Sequence, residues 1–269
     1  MDESNKLILP YQLPENLESL NRYEEELRKQ SIFEINKSLE LVNHLGIVHA
    51  SLDIIYNLNI AYENPTDDEL IIQCLGTRLF NSVVSSLKLL LTGYYQNSFA
   101  LQRDILETGF LLDFFSIDRT RISDWKNSNE RERLRKYGPK TIRCELDKRD
   151  KFKGEKRRQE YQKLCGYATH PTYPGFKLIA PNGLVKIGPF FKIEYLKSAL
   201  EGLVMYVPNF AIIYISYFNL KNLSPEIFEI FLKEYMDFLD KAKAWSKKYF
   251  GIDLSHFNTD EIRELLKQI

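Results

Sequence analysis

Three places in this 269-residue chain hold residue types whose spacing could support chemistry. The first is His170, within YQKLCGYATHPTYPGF at 161–176. A helical segment ends there on the small residues Gly166 and Ala168, and Pro171 drives the residue before it out of the helical region. A histidine near a helix C-terminus is favoured as a cation by the helix dipole, so His170 can serve as a cap. It can equally act as a general acid or base near neutrality, beside basic residues that hold a phosphate.

The second place is FALQRDILETGFLLDFF, residues 99–115. This stretch is apolar almost all round, the signature of a helix buried between neighbours. Yet it carries Arg103, Asp104 and Glu107, and Arg103 and Glu107 stand four apart on one face. Charges so placed must pair, because burying either alone costs on the order of several kcal/mol, or they must line a polar cleft. A structural ion pair and a cleft are both consistent with the pattern.

The third is a run of charge. Between Arg131 and Lys163 there are 14 Lys or Arg against 6 Asp or Glu, in a chain whose formal net charge is zero. A basic stripe on an otherwise acidic chain fits a phosphate backbone. It also fits solvated helix faces whose bases pair with neighbouring acids, as ERERLRK and EKRRQE suggest. On the first reading Arg157, Arg158 and Lys163, on the helix leading to His170, are the RNA-binding residues.

Other chemistries find little footing. His44 and His49 are five apart, a poor spacing for a shared metal; His49 and Asp53 are better placed but too few, and His256 lies near the end. No HExxH, P-loop, GxSxG or GxGxxG occurs, which disfavours metalloenzymes, NTPases, α/β-hydrolases and dinucleotide enzymes. No metal and no cofactor are expected. Cys74, Cys144 and Cys165 lie far apart, and the acidic N-terminus has no signal-peptide pattern, so a cytoplasmic location is expected. The charge-free stretch GLVMYVPNFAIIYISYFNL (202–220) approaches membrane-spanning length. It holds Pro208, Asn209, Ser216 and three tyrosines, and is read as a buried helix with no membrane partner.

The elements that must position these residues are helices. Apolar residues recur at helical spacing from about Ile32 to Ala61. Thr66, with acids at 67–69, starts another helix to about Tyr94. Asn97 or Ser98 caps the helix that carries Arg103. Shorter charged helices follow, broken at Gly138-Pro139, and one more covers about Glu155 to Tyr167. Ser224-Pro225 opens a long helix that stops at Gly251, with a short helix after Thr259. The exception is GFKLIAPNGLVKIGPF, where alternating runs flank Asn-Gly and predict a β-hairpin at about 175–189. The expected fold class is all-α: an antiparallel helical bundle with one inserted β-hairpin.

This element order resembles an uncharacterised bacterial helical group near the HEPN-like (higher eukaryote and prokaryote nucleotide-binding) superfamily. The resemblance rests on the Arg103-x3-Glu107 helix, Asp124-Trp125, the helix ending YQKLCGYATHP, the insertion and a closing helical pair, over roughly residues 70–250. It implies an N-terminal helical extension (1–66), a HEPN-like core (67–250) and a C-terminal short helix (251–269). It also implies a homodimer of defence or toxin type that cleaves RNA without a metal, through an Arg-x4–6-His motif. Only the histidine is matched: Leu164, Cys165 and Gly166 stand where the arginine should fall, and the nearest upstream arginines are Arg157 and Arg158, more than three helical turns away. Arg103 would then supply the charge, with His170 and Glu107 completing the site. The competing function is a non-catalytic helical module that binds protein or nucleic acid.

Overall fold

A computed structural model describes residues 15–251. The chain beyond Gly251, including His256 and the expected terminal helix, lies outside the described residues. Among the described residues eleven α-helices succeed one another: α1 (Glu15–Asn36), α2 (Leu39–Ala61), α3 (Asp67–Leu91), α4 (Tyr95–Ile117), α5 (Thr120–Asn127), α6 (Glu130–Tyr137), α7 (Pro139–Arg149), α8 (Lys156–Leu164), α9 (Ile193–Val204), α10 (Val207–Ile215) and α11 (Pro225–Phe250).

Local chemistry sets many of the boundaries. The Thr66 hydroxyl accepts from the Glu69 N–H at 3.3 Å, and the Glu69 carboxylate accepts from the Thr66 N–H at 2.8 Å. This reciprocal pair satisfies two donors that the start of α3 would otherwise leave open. Ser224 caps α11 with Pro225 at its first position, and Gly251 ends it at φ 64°. Ser38 accepts from the Leu41 N–H and so splits the long periodic run near residue 38 into α1 and α2. Leu39 and Val42, apolar residues within that run, are exposed. Neither Asn97 nor Ser98 caps α4, which begins at Tyr95; Ser98 is buried and its hydroxyl meets that of Ser86 at 2.8 Å.

The centre of the molecule is the α3–α4 pair, joined by residues 92–94. Its cross-contacts run Arg78 to Asp104, Ser82 to Asp104 and Ser86 to Ser98, so one helix climbs as the other descends. Against this pair pack α2, α9 and α10, and α11 closes on α2. Residues 202–220 form no single helix: the chain breaks near Tyr206 between α9 and α10, and Leu203, Val204, Val207, Phe210, Ala211 and Tyr214 are all buried. Two segments, Asp67–Leu91 and Ile193–Ile215, are long and apolar enough to cross a membrane by length and composition alone. Close approach is bought with glycine at two points. A Cβ on Gly76 would overlap the Tyr214 ring, and one on Gly109 the Phe210 ring.

The β-hairpin at 175–189 is not there; among the described residues there is no strand. The Asn-Gly signal does make its turn, with Asn182 at φ 60° and Gly183 at φ 78°, both in the left-handed region. The flanks fail to pair. Pro174 starts a 3₁₀ turn through Leu178, which takes the upstream run out of extended geometry. Downstream, Gly188 at φ 81° and Pro189, which has no N–H to give, end any ladder. A single cross-bond remains, Lys186 N–H to Ile179 C=O at 2.9 Å. Alternation needs a face to bury, and Leu184, Val185 and Ile187 have none: Ile187 is 99% exposed.

Candidate functional site

The central helix α4 presents its charged face to α7 and α8. Arg103 Nη2 donates to Glu107 Oε1 at 2.8 Å, as their spacing predicts. Across the interface, the Tyr161 hydroxyl of α8 accepts from Arg103 Nε at 2.9 Å and donates to Glu107 Oε1 at 2.5 Å. Arg103 and Glu107 are half-buried, with side chains 27% and 29% exposed. Burial and donation to the Glu107 carboxylate push the Tyr161 phenol up to about 12, so it keeps its proton at neutral pH. Both guanidinium groups near its ring lie within cation–π range: Arg143 at 3.9 Å and Arg103 at 5.1 Å from the centroid.

His170 does not join this cluster through any bond. Its ring is exposed and has no hydrogen-bond or ion-pair partner among the described residues, while its backbone N–H reaches Cys165 C=O at 3.1 Å. That five-residue bond closes a π-helical turn, Cys165–Thr169, at the end of α8. The backbone of His170 is extended (φ −101°, ψ 144°), as a residue before proline should be. Tyr161, which does meet Arg103, lies nine residues earlier, roughly 13 Å along a helix axis at 1.5 Å per residue. The structure therefore brings Arg103 and Glu107 together and leaves His170 apart from the bonds they make.

Arg157 is drawn inward. It pairs with Asp147 at 2.8 Å and with Asp150, sits 4.0 Å from Asp113, and leans on the Phe152 ring. Arg149 holds Asp113 through two bonds, at 2.7 and 3.0 Å, in the fork geometry of a bidentate pair. Arg158 and Lys163 lie on the surface, each paired with an acid on its own helix turn: Glu155 at 2.5 Å and Glu160 at 2.7 Å. Asp124 receives Lys136 at 2.9 Å and the Tyr137 hydroxyl at 2.6 Å, so Asp124-Trp125 serves the α5–α6 junction.

Three residues central to this geometry had no role in the sequence reading. Tyr161 and Arg143 lie in charged stretches that look like solvated faces, and nothing local marks them as inward. Asp113 carried a usable signal: an acid inside FLLDFF, on a helix apolar all round, requires a cation partner. Among the described residues no group of three or more His, Cys, Asp or Glu side chains could hold a metal ion. The fold and site together define an all-α protein with a polar cluster where α4, α7 and α8 meet. No family model, no curated protein and no solved structure matches the chain.

Proposed function

We propose that this chain is a helical module that binds RNA through the basic segment spanning α6 to α8, without cleaving it. The observation that carries the reading is how much charge survives internal pairing. Of the basic residues between 131 and 163, Arg131, Arg133, Arg135, Lys140, Lys148, Lys151 and Lys153 are exposed and form no ion pair among the described residues. The acids of the segment are largely consumed by Arg149, Arg157, Arg158 and Lys163. A solvated face that neutralised itself would leave no such surplus; a phosphate backbone needs one.

Support for binding over cleavage comes from the partners of Arg103. General acid–base cleavage needs the histidine and the arginine to converge on one phosphate. Arg103 is instead held by Glu107 and Tyr161, and His170 stands outside that set. The all-helical architecture is what the HEPN-like reading retains.

The test is a pair of measurements on the full chain with a single-stranded RNA. Binding should weaken with salt, and replacing Arg131, Arg133, Arg135 and Lys140 by alanine should reduce the log–log salt slope by roughly 0.7 per lost phosphate contact. RNA incubated in EDTA should stay intact. Cleavage that disappears in a folded His170→Ala variant would replace this reading with the catalytic one. Absence of RNA binding even at low salt would leave a protein ligand for the module.

A further inference from the structure

Arg143, on α7, is 9% exposed, and its Nε and Nη1 have no hydrogen-bond partner. It lines a half-open cavity of about 300 Å³ formed by residues of α3, α4, α5, α6 and α7. The other charges on that cavity are already answered. Arg78 pairs with Asp104, which also accepts the Ser82 hydroxyl at 2.7 Å. Glu107 is held by Arg103 and by Tyr161. Arg143 alone is left, stacked 3.9 Å from the Tyr161 ring centroid, with no carboxylate in ion-pair contact among the described residues.

A guanidinium buried without an acceptor is costly, and a ring face satisfies its charge but not its N–H donors. The missing element is a planar or tetrahedral oxyanion, which a guanidinium fork grips through two parallel bonds. The rest of the cavity wall is aromatic and apolar, with Trp125, Tyr137 and Phe110 prominent. Its volume falls at the small end of ligand sites, which begin at about 300 Å³. We infer that this cavity binds a small organic anion, a carboxylate or phosphate monoester carried on an aromatic body, with Arg143 gripping the oxyanion and Trp125 and Tyr137 flanking the ring. None of the exposed bases proposed to hold RNA lines this cavity.

Calorimetry and thermal unfolding of the full chain with four probes test it: benzoate, phenyl phosphate, inorganic phosphate and benzyl alcohol. Benzoate or phenyl phosphate should bind and raise the unfolding temperature, and whichever binds better identifies the oxyanion. Inorganic phosphate, lacking the ring, and benzyl alcohol, lacking the charge, should bind at least about tenfold more weakly, the loss of one principal contact. Arg143→Lys keeps the charge but not the fork and should weaken the better probe by about tenfold or more; Arg143→Gln should abolish its binding. The inference is overturned if neither aromatic anion binds the wild-type chain, or if a folded Arg143→Lys or Arg143→Gln variant binds it unchanged. Should both variants fail to fold, preference of the wild type for benzyl alcohol or inorganic phosphate over the aromatic anions would overturn it, and the reverse preference would support it. RNA binding is read with a different ligand, so either result leaves the RNA reading to its own test.

Discussion

The Tyr161 hydroxyl bridges Arg103 and Glu107, accepting a hydrogen bond from Arg103 Nε at 2.9 Å and donating one to Glu107 Oε1 at 2.5 Å. One atom thus links α8 to both charges of α4. Tyr161→Phe keeps the ring beneath Arg143 and removes only this bridge. It should lower stability by about 1.5–3 kcal/mol, the usual worth of hydrogen bonds to charged groups. Urea unfolding of the two proteins measures the difference; an unchanged midpoint would show that the bridge contributes nothing.

Asp113 receives Arg149 bidentately and lies within 4.0 Å of Arg157, with its side chain only 9% exposed. Asp113→Ala leaves inward-facing guanidinium groups short of an acceptor. The expected loss is about 3 kcal/mol, at the lower end for removing one partner of a buried pair. Arg149→Met in the same background should cost less than it does alone, a coupling that a double-mutant cycle reads directly.

Gly109 faces the Phe210 ring with no room for a methyl group. Although alanine is the better helix former by nearly 1 kcal/mol, Gly109→Ala should destabilise by about 1–3 kcal/mol through overpacking. Combining it with Phe210→Leu, which vacates part of the space, should recover some of that loss. A stabilised single variant in thermal unfolding would contradict the packing described.

His44 is buried, and the Trp245 indole N–H donates to its Nδ1 at 3.0 Å. Burial holds its pKa below the usual 6.5, with the Glu40 carboxylate acting more weakly the other way. The unfolded chain therefore takes up the proton first as pH falls. Stability from neutral His44 is complete above pH 6.5 and declines as pH drops toward the lowered folded value. His44→Phe should flatten the stability profile between about pH 7 and about pH 5; an equally steep profile in the variant would assign the dependence elsewhere.

What was legible in the sequence was local. The Thr66 box, Ser224-Pro225 and the Gly251 stop each depend on residues within one turn, and each stands where the sequence places it. The Arg103–Glu107 pair is equally local, a four-residue spacing on one helix. The hairpin failed because its turn is local but its ladder is not: Asn182 and Gly183 bend as expected while Phe176–Leu178 wind into a 3₁₀ turn. Tyr161 and Arg143 were invisible for a related reason. Their inward direction is decided by α4, whose Glu107 and Arg103 lie 54 and 58 residues from Tyr161 along the chain, and charge pattern within α7 or α8 does not record it.

The π-turn at Cys165–Thr169 has a consequence for length rather than for bonding. Such a turn accommodates one surplus residue inside a helix. Deleting a single residue there would remove that surplus and restore the ordinary pitch, with the chain on either side keeping nearly its bearing about the axis. The turn thus absorbs a change of one residue in the length of the helix end, while the His170 ring, with no bond among the described residues, takes no part in holding it. Substitution can therefore remove that histidine side chain while the backbone bond closing the π-turn stays, and deletion can remove the turn while the histidine stays.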